Sequence, residues 1–221
     1  MSATAPTWLD LYEYRQRVAQ MYRERAASLI AGEDHSAIWQ RFRTGKDVLY
    51  REHPQSPLNQ QQRQAFSGLG YFPFDPALCV EANLVLNESD AEQAMEASGP
   101  HVMRFRRAGR MQFTLAGTQQ SLVVYWIDVY GGGLFLPFRD ATCGTETYGG
   151  GRYLFDTVKG SDFVALDIDS AQGYAGGRVL LDFNVSYNPS CAYDARWICP
   201  LAPPDNRLTI PIRAGELAFH A

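Results

Sequence analysis

The sequence predicts a mainly β, α+β protein: an antiparallel β-barrel or two-sheet sandwich with an N-terminal helical leader packed on it. Three observations carry this. Apolar residues recur at helical spacing up to about residue 66 and at every second position after Gly68. Eight or more short strands in the remaining stretch must close into a barrel or pack as two sheets, since open edges invite aggregation. No Gly/Ser or Pro-rich linker separates the two parts, so residues 1–66 and 67–221 read as one folding unit, a length common for single β domains.

The elements follow in order. Thr7 with Asp10 three residues on forms a variant capping box, the hydroxyl taking an orphan N–H while the carboxylate favours the positive helix end. From there Trp8, Leu11, Val18, Met21, Tyr22 and Leu29 make one apolar stripe, and Gly32 is a natural stop. A second helix is expected from Ser36 to about Tyr50, ended by the His-Pro-Gln-Ser-Pro turn at 53–57, and a short third one from Asn59 to Phe66. Met103 and Phe105, then Met111, Phe113 and Leu115, then Val123, Tyr125 and Ile127 alternate with more polar residues. Turns are expected at Ala108-Gly109-Arg110 and Gly117 to Gln120. Further strands are expected at about 78–86, 91–97, 133–138, 152–158, 162–168, 178–184 and 207–213.

Charge narrows the function classes. The net charge is −4, split into +2 over residues 1–64 and −6 over 65–221, which argues against a general nucleic-acid binder. Arg104, Arg106, Arg107 and Arg110 read as a solvated hairpin face. Arginine supplies nearly all the positive charge, because Lys46 and Lys159 are the only lysines. The longest apolar run, Leu122 to Ile127, is too short to span a bilayer. The first residues lack the basic and apolar segments of a secretory signal, so a cytoplasmic protein is expected. Four cysteines without C-x-x-C spacing and four scattered histidines predict neither a disulfide scaffold nor a zinc site.

Three polar, turn-rich stretches stand out. Residues 138–153 pack Asp140, Glu146, three threonines, two tyrosines, Arg139, Arg152 and four glycines into sixteen positions. Glycines let the backbone approach a ligand closely, and Arg152 can clamp a carboxylate or phosphate. Alternatively the glycines make a tight connection and Arg152 pairs with Glu146 or Asp140. In 182–193, an alternating strand would put Asp182 and Asn184 on one side, facing water or a site. The prolines of 199–207 hold an extended path that braces the barrel more readily than it does chemistry. Cys191 and Cys199 can approach each other across this loop, as buried thiols or as a redox pair.

The words HPQSPL, FSGLGYFPFDPAL, FRDATCGTETYGGGRYL, LDFNVSYNPSCAY, CPLAPPDNRL and a closing IRAGE, in one order from about residue 53 to 216, resemble the signature blocks of a bacterial and archaeal family, domain of unknown function 1684 (DUF1684). Ala202 and Asp205 stand where that family would have Pro and Glu. The resemblance implies a common fold and a shared polar site, and it brings no activity.

Three functional readings result. In the first, the loops 138–153, 182–193 and 199–207 form a site for a small anionic molecule. Asp140, Glu146 and Asp182 would be its acid or base groups, and Arg152, Tyr148, Thr145, Asn184, Tyr187 and Asn188 its ligand-binding groups. In the second, the same residues are a buried network locking the barrel, and function lies in a partner surface or an oligomer. The third, a flavin-binding split barrel, rests on size and strand content alone. The cofactor, if there is one, is not named by the residues.

Overall fold

The computed structural model describes residues 6–86, 92–99, 102–169 and 173–219. Three helices come first: α1 (Trp8–Ile30), α2 (His35–Glu52) and α3 (Gln60–Ala65). Thr7 and Asp10 form the reciprocal capping box expected of them, and Asn59 with Gln62 forms another at α3. Eight antiparallel strands follow: β1 (Cys79–Leu86), β2 (Glu92–Glu96), β3 (Val102–Leu115), β4 (Thr118–Ile127), β5 (Leu134–Phe138), β6 (Arg152–Asp156), β7 (Val164–Asp169) and β8 (Gly173–Asp182). They form one curled sheet, a half-barrel, in the order β6-β5-β4-β3-β1-β8-β7, with β2 pairing to β3.

The sheet is covered on both faces where β4, β5 and β6 run side by side, while β1 alternates buried and exposed residues. Along β4, Leu122 and Val124 join one cluster with Met111, Phe138, Leu181 and Phe183, while Val123, Tyr125 and Ile127 join a second with Phe105, Phe135 and Tyr153. Burial on both sides explains why this strand is an unbroken apolar run and not a strict alternation.

Two expected features differ. No turn interrupts 108–110: β3 runs through it with a register shift between Arg107 and Gly109. A β-carbon on Gly109 would lie 2.7 Å from the Val85 carbonyl oxygen of the neighbouring strand. The glycine therefore marks close backbone approach at a bulge, not a chain reversal. Nor is 207–213 a strand of the sheet. It touches Arg139 through an isolated bridge at Arg207, bends at residues 209 and 210, and drops Leu208 and Ile212 into the core.

The helices dock by polar as well as apolar contacts. Tyr22 of α1 meets Phe42 of α2 edge-on at 5.0 Å, and Val185 packs in the same cluster. Arg25 donates to Asp182 Oδ2 at 2.5 Å, Trp39 Nε1 donates to the Asn184 carbonyl at 3.0 Å, and Lys46 Nζ donates to Glu216 Oε1 at 2.6 Å. All three ties are buried.

Candidate functional site

The three carboxylates singled out in the sequence occupy three separate ion pairs. Asp140 faces Arg152 at 2.7 Å, with both side chains fully buried. Asp182 holds Arg25. Glu146 lies nearer the surface and accepts from Arg213 Nε through both its oxygens, at 3.1 and 3.0 Å.

Arg152 is occupied from within. Beyond Asp140, its two terminal nitrogens donate to the carbonyls of Ile212, Ala214 and Glu216. The other Asp140 oxygen accepts from the backbone and the hydroxyl of Thr142, which meets Thr147 Oγ1 at 2.9 Å, and Thr145 Oγ1 donates to the Thr142 carbonyl at 2.9 Å. The loop is thus a bracket around one guanidinium, which ties β6 to the chain's closing segment. Gly151, at φ +94°, is needed because a β-carbon there would lie 2.6 Å from the Phe138 carbonyl oxygen. Of the two partners that the sequence offered Arg152, Glu146 and Asp140, the structure pairs it with Asp140.

Strand alternation fails at Asp182 and Asn184. β8 ends at Asp182, and residues 183–185 form a 3-10 turn in which Asp182 Oδ1 accepts from both the backbone and side-chain nitrogens of Asn184 at 2.9 Å. Asn184 also bonds both backbone groups of Asp75. Both side chains are buried, so this polar side faces the helical leader and not solvent. In 199–207, Asn206 is fully buried and bonds the Val123 backbone twice and the Pro137 carbonyl, bracing β4 and β5.

Tyr187, Asn188 and Cys199 have a different setting. They line a cavity of about 220 Å³ between α1, α2 and the loops after β6 and β8. Its apolar wall is Leu11, Val18, Met21, Phe42, Leu49 and Pro57. Its polar groups include Tyr14, Tyr22, Tyr187 and Asn188, with three cations, Arg15, Lys46 and Lys159, and no carboxylate among the lining residues. Two polar atoms of this lining, Arg15 Nε and Asn188 Oδ1, are buried with no hydrogen-bond partner among the described residues.

Sequence reasoning passed over Arg15, Lys46 and Lys159. A signal existed: the chain's only two lysines both line this cavity. Lys46 rests 4.5 Å over the Tyr187 ring while paired with Glu216, and half-exposed Lys159 is 3.6 Å from Asp156. Tyr187 shares a hydrogen bond of 2.6 Å with Ser161, and burial holds the phenols of Tyr14, Tyr22 and Tyr187 above their ordinary range, hence protonated.

Cys191 and Cys199 come together at one edge of the site. The Cys191 amide donates to Cys199 Sγ at 3.3 Å, and the Tyr148 hydroxyl lies 3.6 Å from Cys191 Sγ. Among the described residues no three His, Cys, Asp or Glu side chains gather to hold a metal ion, and no helix is long and apolar enough to cross a membrane.

Comparison with known proteins agrees with the motif words. The model of a family described as "Protein of unknown function (DUF1684)" matches residues 64–217. The chain belongs to this family. Among solved structures, the DUF1684 chain is similar to the solution NMR structure of an uncharacterized protein of Haloarcula marismortui, at 33% identity and a TM-score of 0.57, over 80% of this chain and 91% of that one. No curated protein matches it. The match begins at residue 64, so α1 and α2, which supply one wall of the cavity, lie ahead of the family-matched stretch.

Proposed function

We propose that the protein binds a small organic anion with an apolar body in the cavity between its leader helices and the half-barrel, and that the polar loops act as the frame of that site. The observation that carries this is the cavity's lining: an apolar wall, three cations, no carboxylate, and the unpartnered Arg15 Nε and Asn188 Oδ1. Ligand sites take this form, a mainly apolar hollow with a few fixed polar groups, and buried polar atoms without partners are costly unless a ligand meets them. At about 220 Å³ the volume suits a small metabolite, being below the roughly 300 to 1,000 Å³ of drug-sized sites.

Within this reading Arg15 and Lys159 attract the anionic end, the protonated Tyr14 and Tyr187 hydroxyls offer neutral hydrogen bonds, and Lys46 acts through Glu216 as a fixed part of the wall. Asp140, Glu146, Asp182, Arg152, Thr145 and Asn184 hold the loops and helices in place. Apart from Arg152 Nε, which is buried without a hydrogen-bond partner among the described residues, their polar groups meet partners inside the protein, which favours the framework role over acid or base chemistry.

The test is a thermal-shift and calorimetric screen of small aromatic and short-chain carboxylates, each paired with its methyl ester. Saturable binding of at least one acid, with its ester markedly weaker, and loss of binding on filling the cavity by Val18→Trp, supports the reading. Equal binding of acid and ester defeats the anionic assignment. Binding that survives Val18→Trp in a folded protein, or no binding across the screen, defeats the cavity.

A further inference from the structure

We infer that Cys191 and Cys199 are a redox-active dithiol that exchanges with low-molecular-weight disulfides, Cys191 attacking first and Cys199 resolving. The geometry is specific to this pair. Cys191 sits in the 3-10 turn Ser190–Ala192, half-buried, and its own amide points at the sulfur of Cys199. Cys199 is buried and pinned on both sides: its amide donates to Ser98 Oγ at 3.0 Å and its carbonyl accepts from the Ser98 amide at 2.9 Å. Tyr148, from the 138–153 loop, brings its hydroxyl to the Cys191 sulfur from another side. Cys191 is the more exposed of the two residues and is surrounded by donors, and buried Cys199 is held against it.

These contacts select which thiol ionises. The Cys199 thiol, then the Ser98 and Tyr148 hydroxyls, hydrogen-bond to Cys191 and draw its thiol down to about 6 against the opposing effect of burial. Cys199 moves upward because it is the donor in that pair. Burial pushes Tyr148 up to about 12, so its hydroxyl keeps its proton and donates. The charged groups acting on the cluster are Lys159, which faces Cys199, and Arg139, which faces Tyr148. By contrast burial raises Cys79 to about 12. A low-pKa, reachable thiol beside a second thiol is the arrangement that exchange chemistry needs.

The exchange runs in two steps. The Cys191 thiolate attacks one sulfur of a small disulfide, forming a mixed disulfide and expelling a thiolate that takes a proton from water. Cys199 then releases its proton, and its sulfur attacks that of Cys191, closing the intramolecular disulfide and expelling the second small thiolate. Two protein thiols are oxidised and one small disulfide is reduced to two thiols. The inference is independent of the anion reading, since it requires no ligand in the cavity.

The experiment treats the reduced full-length chain with oxidised glutathione at neutral pH, quenches with acid and N-ethylmaleimide, and maps the peptides. A Cys191–Cys199 disulfide is expected, with Cys79 and Cys143 alkylated. In Cys199→Ser the reaction should stop at a glutathione adduct on Cys191. In Cys191→Ser, modification of Cys199 should slow by about tenfold or more. Tyr148→Phe, followed as initial rate against pH, should move the ionisation midpoint of the Cys191 reaction upward while circular dichroism is unchanged, a kinetic signature that a purely structural tyrosine would not give. The inference is overturned if Cys191 reacts no faster than Cys143, or if wild type accumulates the Cys191 adduct without closing the disulfide.

Discussion

Lys46 of α2 places its ammonium 2.6 Å from Glu216 Oε1, joining the helical leader to the last residue of the closing Ile-Arg-Ala-Gly-Glu block. Glu216 is fully buried and serves four donors: Lys46, the Asn188 amide at 2.7 Å, Tyr71 at 3.3 Å and the Tyr193 hydroxyl. The leader is thereby fastened to the family-matched region, and the carboxylate that fastens it also sets the position of Asn188 in the cavity wall.

Glu216→Gln keeps the shape and removes the charge, leaving the Lys46 ammonium buried without its counter-ion. The expected loss of stability is about 3 to 5 kcal/mol, the usual cost of breaking one side of a buried pair. Adding Lys46→Met should recover a large part of it, because the stranded charge is then gone. Urea denaturation of the two single variants and the double variant checks this. Losses that simply add would show that the two residues are not coupled.

Asp140→Asn tests whether the polar loop is a frame. The neutral amide leaves the Arg152 guanidinium buried with only carbonyl partners, so a loss of about 3 kcal/mol or more is expected. Any anion bound by the cavity should keep its affinity within about threefold where the variant remains folded, since Asp140 is absent from the lining. Calorimetry at low temperature separates the two effects.

The elements that the sequence made legible are those governed by local chemistry. Thr7 with Asp10 and Asn59 with Gln62 cap helices through contacts three residues apart, and the two-sided burial of β4 leaves its mark as an apolar run. The candidate site was only partly legible because its walls come from distant segments. Arg15 and Tyr187 are far apart in the chain and meet only when α1 docks. The polar loops attracted attention by their density of charge, yet such density arises equally when buried groups must satisfy one another, as Asp140 and Arg152 do. Gly109 was misread for a similar reason: a turn and a bulge both call for glycine, and only the neighbouring strand tells them apart.

Gly109→Ala accordingly measures the bulge. The added methyl would lie 2.7 Å from a backbone oxygen that can move only with its strand, so a loss of about 1 to 3 kcal/mol is expected. Gly117→Ala, in the turn between β3 and β4, meets nothing within 4 Å and should show only the strain of its positive φ, +73°. A bulge is indicated if the Gly109 variant lowers stability through contact, with partial rescue by trimming Val85 ruled out, because the clash is with the main chain. Comparable Tm values for Gly109→Ala and wild type would remove the close approach from the account.

Cys191 should leave a trace in the pH dependence of stability. Its folded thiol ionises at about 6, held down by the hydrogen bond from Cys199, against an ordinary value of 9.0. Between these values the folded chain carries a thiolate while the unfolded chain still binds the proton, so stability rises with pH through this window and is lost as pH falls through about 6. The upward-shifted Cys79 and Cys199 stay protonated in both states here and contribute only above it. Denaturation of the reduced protein from about pH 6 to 8.5 should show the rise, and Cys191→Ser should flatten it. An identical slope in the variant would assign the rise to other groups.

The anion reading makes a last, directional demand on the two cations that Glu216 does not neutralise. Arg15 is carried by α1 and Lys159 by the 3-10 turn Thr157–Lys159 that α1 packs against, so they approach the cavity from opposite sides of the same seam. If both attract one anionic group, Arg15→Gln and Lys159→Gln should each weaken a binding carboxylate by about tenfold and leave its ester unaffected. The two losses should combine less than additively, because once one cation is gone the anionic group is no longer held in place for the other. Arg15→Lys should restore the charge but not the planar donor, recovering only part of the affinity, which distinguishes recognition by the guanidinium from a general positive field. Parallel losses for acid and ester would instead mean that Arg15 and Lys159 shape the wall and do not recognise charge.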